Sequence, residues 1–411
     1  MNNHLKFMQK TAFDQQTPAR AAINFIAMDK APFSSFTGAL TGVLMLGALL
    51  MLSGCFGGAV KPPPSELQAF SPVVSPRLAW SGRIGPVSYP LQVRTVAANN
   101  TLAVAADDGT VAMLDAQTGR DIWRVALVKS PIAAGVGSDG KTAAVVTRDN
   151  EVVAIQDGRE IWRQKLNAQA FTAPFVAGGR VFVLAADRSV NAFDGLTGQR
   201  LWTQQRPSEP LVLRQSGVLL AVGDTLVAGL SGRLAGMNPA NGSIRWESPI
   251  ASPRGINDVE RLVDLVGPAS RLGGSVCARA FQASVGCVNS ATGTLAWARA
   301  ANGTQGIDGD TDRIYGSEAD GSVLAWRRSD GERLWTNDRL RFRSVSAPLV
   351  VGNSVAVGDF AGFIHWLSRE GGILQGRVAT DGSAIAAAPV LAGNTLVAVT
   401  ANGGIYGFIS P

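Results

Sequence analysis

The chain has 411 residues, of which 46% are hydrophobic and 17% charged, a balance that excludes a disordered polypeptide. Forty-seven glycines and 20 prolines describe many short elements joined by tight turns, which favours an all-β fold over a helical one. Two histidines leave little room for imidazole chemistry, and three cysteines are too few for a disulfide scaffold. The net charge of +6 is a modest excess that carries no nucleic-acid footprint.

The first segment with a defined character runs from Gly38 to Leu52, GALTGVLMLGALLML, an uncharged stretch too short to span a bilayer comfortably. Leu52-Ser53-Gly54-Cys55 follows, an apolar residue, two small ones and a cysteine, which resembles the box read by lipoprotein signal peptidase. Residues 1–54 are therefore expected to be a leader and signal peptide, with translation starting at Met1 or Met28, and Cys55 is expected to be acylated. Cleavage there removes Lys6, Lys10, Arg20, Lys30, Asp14 and Asp29 and leaves a net charge of +4. Residues 55–75 are rich in proline and lack periodicity, so they are expected to form an extended tether between the lipid and a domain at 76–411.

From there a Gly-x-x-x-Trp motif recurs, ending at Trp123, Trp162, Trp202, Trp246, Trp297 and Trp335. The series continues at GGILQ, where Gly371 keeps the place and Gln375 stands for tryptophan. Two alternating apolar runs around a polar turn precede each motif, as in LAVAADDGTVAMLDAQTGRDIW, and a further run with a proline precedes those. Each unit of about 40 residues thus encodes four short antiparallel strands, the size of a propeller blade. The glycine supplies a left-handed turn between strands three and four, and the tryptophan wedges neighbouring sheets apart. Residues 385–409 supply only three strands, and SPRLAWSG with Trp80 supplies the fourth. The pattern predicts an eight-bladed β-propeller of four-stranded antiparallel blades, its last blade closed by the N-terminal strand; a seven-bladed ring is the rival arrangement.

Asp308, Asp310 and Asp312 resemble a calcium loop, but Arg313 stands where such a loop needs glycine, and the segment falls where other blades carry a hairpin turn. Turn chemistry is expected and no metal. His365 lies in a strand, to pack or to face solvent, and His4 belongs to the leader; no catalytic triad can be assembled and no cofactor is expected. Cys277 and Cys287 occupy the places of Ala103 and Met113 in blade 1, facing each other across a hairpin, so a structural disulfide is expected.

The two longest tryptophan spacings, 44 and 51, are consecutive, so the enlarged connectors 203–215 and 247–265 are expected side by side on one face. The first carries Leu211, Leu213 and Arg214, and the second Glu260, Arg261 and Asp264. Leucines ringed by charges make a candidate protein-docking patch, which Arg339, Arg341 and Arg343 could extend toward an acidic partner.

The lipobox, the tether and eight tryptophan-anchored blades together resemble the BamB family, the lipoprotein propellers of the outer-membrane β-barrel assembly machinery. AVGDFAGFIHWLSREGG at 356–372 is close to that family's GDxxGYLHW segment. The resemblance implies a non-enzymatic scaffold sorted to the outer membrane, facing the periplasm, that assists the folding of outer-membrane proteins. It also implies docking on the POTRA domains of BamA. The family's Leu-x-Leu-Arg loop matches Leu211, Leu213 and Arg214, and its Arg-Leu-x-Asp loop matches Arg261, Leu262 and Asp264. A second acidic residue two positions after Asp264 is replaced by Val266. The repeats also resemble those of pyrroloquinoline-quinone dehydrogenases, whose Thr-Gly-x-x-x-Trp pattern is seen within Ala112 to Trp123. That reading implies adjacent cysteines and a calcium-bound quinone, and the chain has no adjacent cysteines. A glycan-binding propeller would need aromatic side chains at a channel mouth, and only three tyrosines are available.

Overall fold

A computed structural model describes residues 62–88, 94–96, 100–127, 131–206, 211–253, 256–257 and 261–409. Short, largely apolar runs of three to eight residues, broken by left-handed glycines, pair as antiparallel hairpins. The described strands form eight four-stranded sheets, seven of them in simple sequence order from inner to outer strand. The eighth takes its three inner strands from Val390–Ala392, Thr395–Val399 and Gly404–Ile409, and its outer strand from Arg77–Arg83, which pairs antiparallel with Gly404–Ile409. The ring is thus an eight-bladed propeller closed by its N-terminal strand.

The middle strands of every blade are almost wholly buried, for example Thr101–Ala105 and Thr142–Thr147, whereas the outer strands are half exposed. Neither face of such a sheet can meet water, so each blade buries both faces against its neighbours. Where an outer strand carries the tryptophan, its ring packs across the junction. The indole Nε1–H of Trp80 donates to the carbonyl of Ala116, Trp162 to Gly195, Trp202 to Pro239, Trp246 to Ser290, Trp297 to Arg328 and Trp335 to Arg369, at 2.7–3.0 Å. Each acceptor lies at the strand three–four turn of the following blade, whose glycine forms the shelf for the ring. At Gly331 a Cβ would stand 2.4 Å from Trp297 Cε3.

Blade 7 corrects one expectation. Gly372, not Gly371, holds the left-handed turn, and Trp366 pairs with Gly376, so Gly376 and not Gln375 occupies the tryptophan place. The physical reason lies across the seam. The outer two strands of blade 8 come from distant parts of the chain, so no turn joins them and no shelf exists for an indole. The segment 65–74 fills the place instead. The Val73 and Val74 N–H groups donate to Gln375 O at 2.8 and 3.0 Å, Ser65 N–H donates to Arg341 O, and a Cβ on Gly376 would lie 2.6 Å from Val74 O. Leu67 packs against the cluster of Leu340, Val345 and Leu367. This stretch of the expected tether carries no helix or strand and is held along blade 7.

Candidate functional site

In a four-stranded blade the connectors between blades and the turns between strands two and three share one face. The connector after blade 3 leaves Arg200–Gln204 and reaches Leu219–Val222. The connector after blade 4 leaves Ile244–Pro249 and reaches Leu265–Leu272. Both therefore lie on this face at neighbouring junctions, and they touch. Gly217 bridges to Val266, and Gly267 N–H donates to Ser216 O at 2.9 Å. On this frame Leu211 is 40% exposed, Arg214 and Arg261 are exposed, and Leu213 and Leu262 are half buried.

Asp264 sits between the two connectors. One carboxylate oxygen accepts the Leu213 N–H at 2.8 Å, and the other meets the Arg188 guanidinium at 3.0 Å. The same Arg188 Nη2 donates to Leu211 O at 3.0 Å. Arg188 comes from the strand two–three turn of blade 3 and is only 6% exposed. Reading along the chain misses it, because its partners are 23 and 76 positions away. The available signal is an arginine at a turn position that is glycine in blades 1, 6, 7 and 8. Val266, which stands where the family resemblance implies an acidic residue, is 1% exposed and paired in the bridge to Gly217, so this position faces the interior. Glu260 and Cys55 lie outside the described residues.

The remaining candidates fall elsewhere. Cys277 and Cys287 are directly opposed on Ser275–Ala280 and Ser284–Asn289, fully buried and joined by a disulfide. Asp310 accepts the N–H groups of Asp312 and Arg313 at 2.8 Å, which is turn chemistry; burial opposes its charge, but these donors, Tyr315 and Arg369 hold its carboxyl below the usual range. Asp308 is not in the turn. It lies in the inner strand Ile307–Gly309, accepts the Val350 N–H of the next blade at 2.8 Å, and is pushed upward by burial. Among the described residues no cluster of potential ligands is arranged to hold a metal ion.

Arg339 and Arg341 are exposed, but Arg343 corrects the expectation of a surface arginine triplet. It is 6% exposed, and its Nε–H donates to Asp359 at 2.8 Å. His365, fully buried, shares the same Asp359 oxygen through Nε2 at 3.0 Å, while Arg377 Nε–H donates to its Nδ1 at 3.3 Å. His365 is thus neither simple apolar packing nor solvent-facing. The cluster also reaches the N-terminal segment, since Arg343 donates to Ser65 O and Arg377 to Gln68 O.

A cleft of about 390 Å³ is lined by inner strands of several blades, including Val218, Leu220, Pro268, Pro348 and Pro389, with Asp308 the one ionisable side chain among the described residues that line it. A quinone bearing several carboxylates needs cationic partners, and this lining offers a carboxylate among apolar and uncharged polar groups. The donor set does not fit such a cofactor.

The sequence model for the family described as outer membrane protein assembly factor BamB matches residues 107–337. A protein of that name from Burkholderia pseudomallei (strain K96243) is 36% identical over 370 residues, covering 89% of this chain and 97% of the relative. The chain belongs to the BamB family. The family member of Escherichia coli (strain K12) is 26% identical over 387 residues, 88% of this chain and 98% of its own. The crystal structure of BamB from Moraxella catarrhalis superposes with a TM-score of 0.73 at 22% identity, over 82% of this chain and all of that one. A quinohemoprotein alcohol dehydrogenase from Comamonas testosteroni gives 0.63 at 14% identity, over 81% of this chain and 76% of that one, a likeness of fold alone.

Proposed function

We propose that this chain is a non-enzymatic scaffold of the outer-membrane protein assembly machinery. In this reading Cys55 is acylated and anchors the protein to the outer membrane facing the periplasm, and the ring docks on the POTRA domains of BamA to assist barrel folding. The observation that supports it most is the meeting of two oversized connectors, one carrying Leu211, Leu213 and Arg214 and the other Arg261, with Asp264 of the second holding the Leu213 N–H of the first. An apolar pair flanked by arginines suits a groove with an apolar floor and an acidic rim. The enzymatic alternative is disfavoured by the cleft lining.

The test uses the exposed residues, because Leu213 is half buried and its removal would disturb packing. Replacing Leu211→Asp and Arg214→Glu together is expected to abolish copurification with BamA from detergent-solubilised envelopes while leaving the melting temperature unchanged. Undiminished copurification would refute the patch assignment.

A further inference from the structure

The middle-hairpin turn is built alike in six blades: a left-handed residue donates its N–H to the carbonyl three residues earlier. That residue is Gly109, Asn150, Arg188, Gly321, Gly362 or Gly403. A left-handed conformation is strained for a long side chain, and arginine offers the turn nothing that glycine lacks. Arg188 has φ 59°, and its side chain is turned into the protein beneath the two oversized connectors. It binds both of them at once, the first through Leu211 O and the second through Asp264, whose other oxygen holds the Leu213 N–H.

We propose that Arg188 is the positioning residue of the docking patch and that Asp264 acts inside the protein, as the second half of the same clamp. The partner then meets Leu211, Leu213 and Arg214, while each Asp264 oxygen is already engaged from inside the protein. The inference rests on the docking reading above. Cutting the clamp leaves the blade intact, because glycine satisfies the turn, yet releases the connector that presents the leucines. The structure thereby separates residues that touch a partner from residues that shape the surface.

Arg188→Gly is the decisive variant. Its melting temperature is expected to fall only modestly, because relief of the left-handed strain offsets part of the lost ion pair, while hydrogen exchange at the Leu213 amide speeds up by roughly tenfold or more, the loss of a charge-assisted bond. Binding to purified POTRA domains of BamA is expected to weaken by a similar factor. Arg188→Lys restores one contact and should recover part of both. Asp264→Asn should reproduce the exchange effect. Unchanged exchange at Leu213 in Arg188→Gly overturns the clamp. So does unchanged POTRA binding, provided the Leu211→Asp/Arg214→Glu protein loses it. If that double variant binds normally, the docking reading fails, and the exchange experiment still decides the clamp.

Discussion

Asp359 shows how one carboxylate can be made to carry several neighbours. It is fully buried, and burial alone would raise its pKa, yet hydrogen bonds from His365, the Phe363 N–H and Arg343 hold it below the ordinary value. His365 moves the same way for the opposite reason. Burial disfavours the imidazolium more than Asp359 favours it, and the charges of Arg377 and Arg343 add to the depression. Arg377 donates to Nδ1, so the neutral ring carries its proton on Nε2, facing Asp359. A histidine whose folded pKa lies below its unfolded value of about 6.5 is protonated first in the unfolded chain. Stability therefore falls as the pH drops below that value, by at most about 1.4 kcal/mol per pH unit for one proton. Asp359 contributes its own loss only at lower pH, below about 3.9. His365→Gln is expected to flatten the decline between pH 7 and 5 relative to the unaltered protein, measured by urea denaturation. An equal slope in both proteins would show that His365 is not the titrating group.

At the scale of the element, the blade junction is a lock of two parts, an indole and a glycine one blade further on. Gly331 has φ 73° and would place a Cβ 2.4 Å from Trp297. Gly331→Ala is expected to lose roughly 2–4 kcal/mol, combining left-handed strain with overpacking, and chemical denaturation measures it. This lock is why the propeller was legible in the sequence: both of its parts belong to one short motif, repeated at nearly constant spacing. The opposed cysteines were legible for a similar reason, since a hairpin register relates residues ten apart. What could not be read depends on partners far along the chain. Arg188 looks like a solvated turn residue until Leu211 and Asp264 fold over it. Arg343 looks like one of three surface arginines until Asp359, 16 positions on, buries it. Near Gly371 and Gly372 the doubled glycine offered two registers, and only the pairing of Trp366 with Gly376 selects one.

For the whole molecule, closing the ring by strands from two distant segments has a cost that falls on the seam between blades 7 and 8. The other junctions with a recorded indole bond engage a turn, and this seam has none to offer. Its interior is filled by Trp366 against Phe408, edge to face at 6.3 Å, and its rim by Val74 and the chain leading to it. The N-terminal segment is therefore part of the closure, tied at Ser65, Gln68, Val73 and Val74 and gripped by the Arg343–Asp359–His365–Arg377 cluster. A consensus argument would install the missing tryptophan, and the geometry argues the reverse. Gly376→Trp would drive an indole into Val74 and Pro76, where the other junctions offer the shelf of a turn glycine. The variant is expected to melt at a lower temperature than the unaltered protein, with faster hydrogen exchange at the Val73 and Val74 amides while the amides around Trp162 and Gly198 keep their protection. A raised melting temperature would mean that the seam accepts an indole as the other junctions do, and that the N-terminal segment is not what fills it.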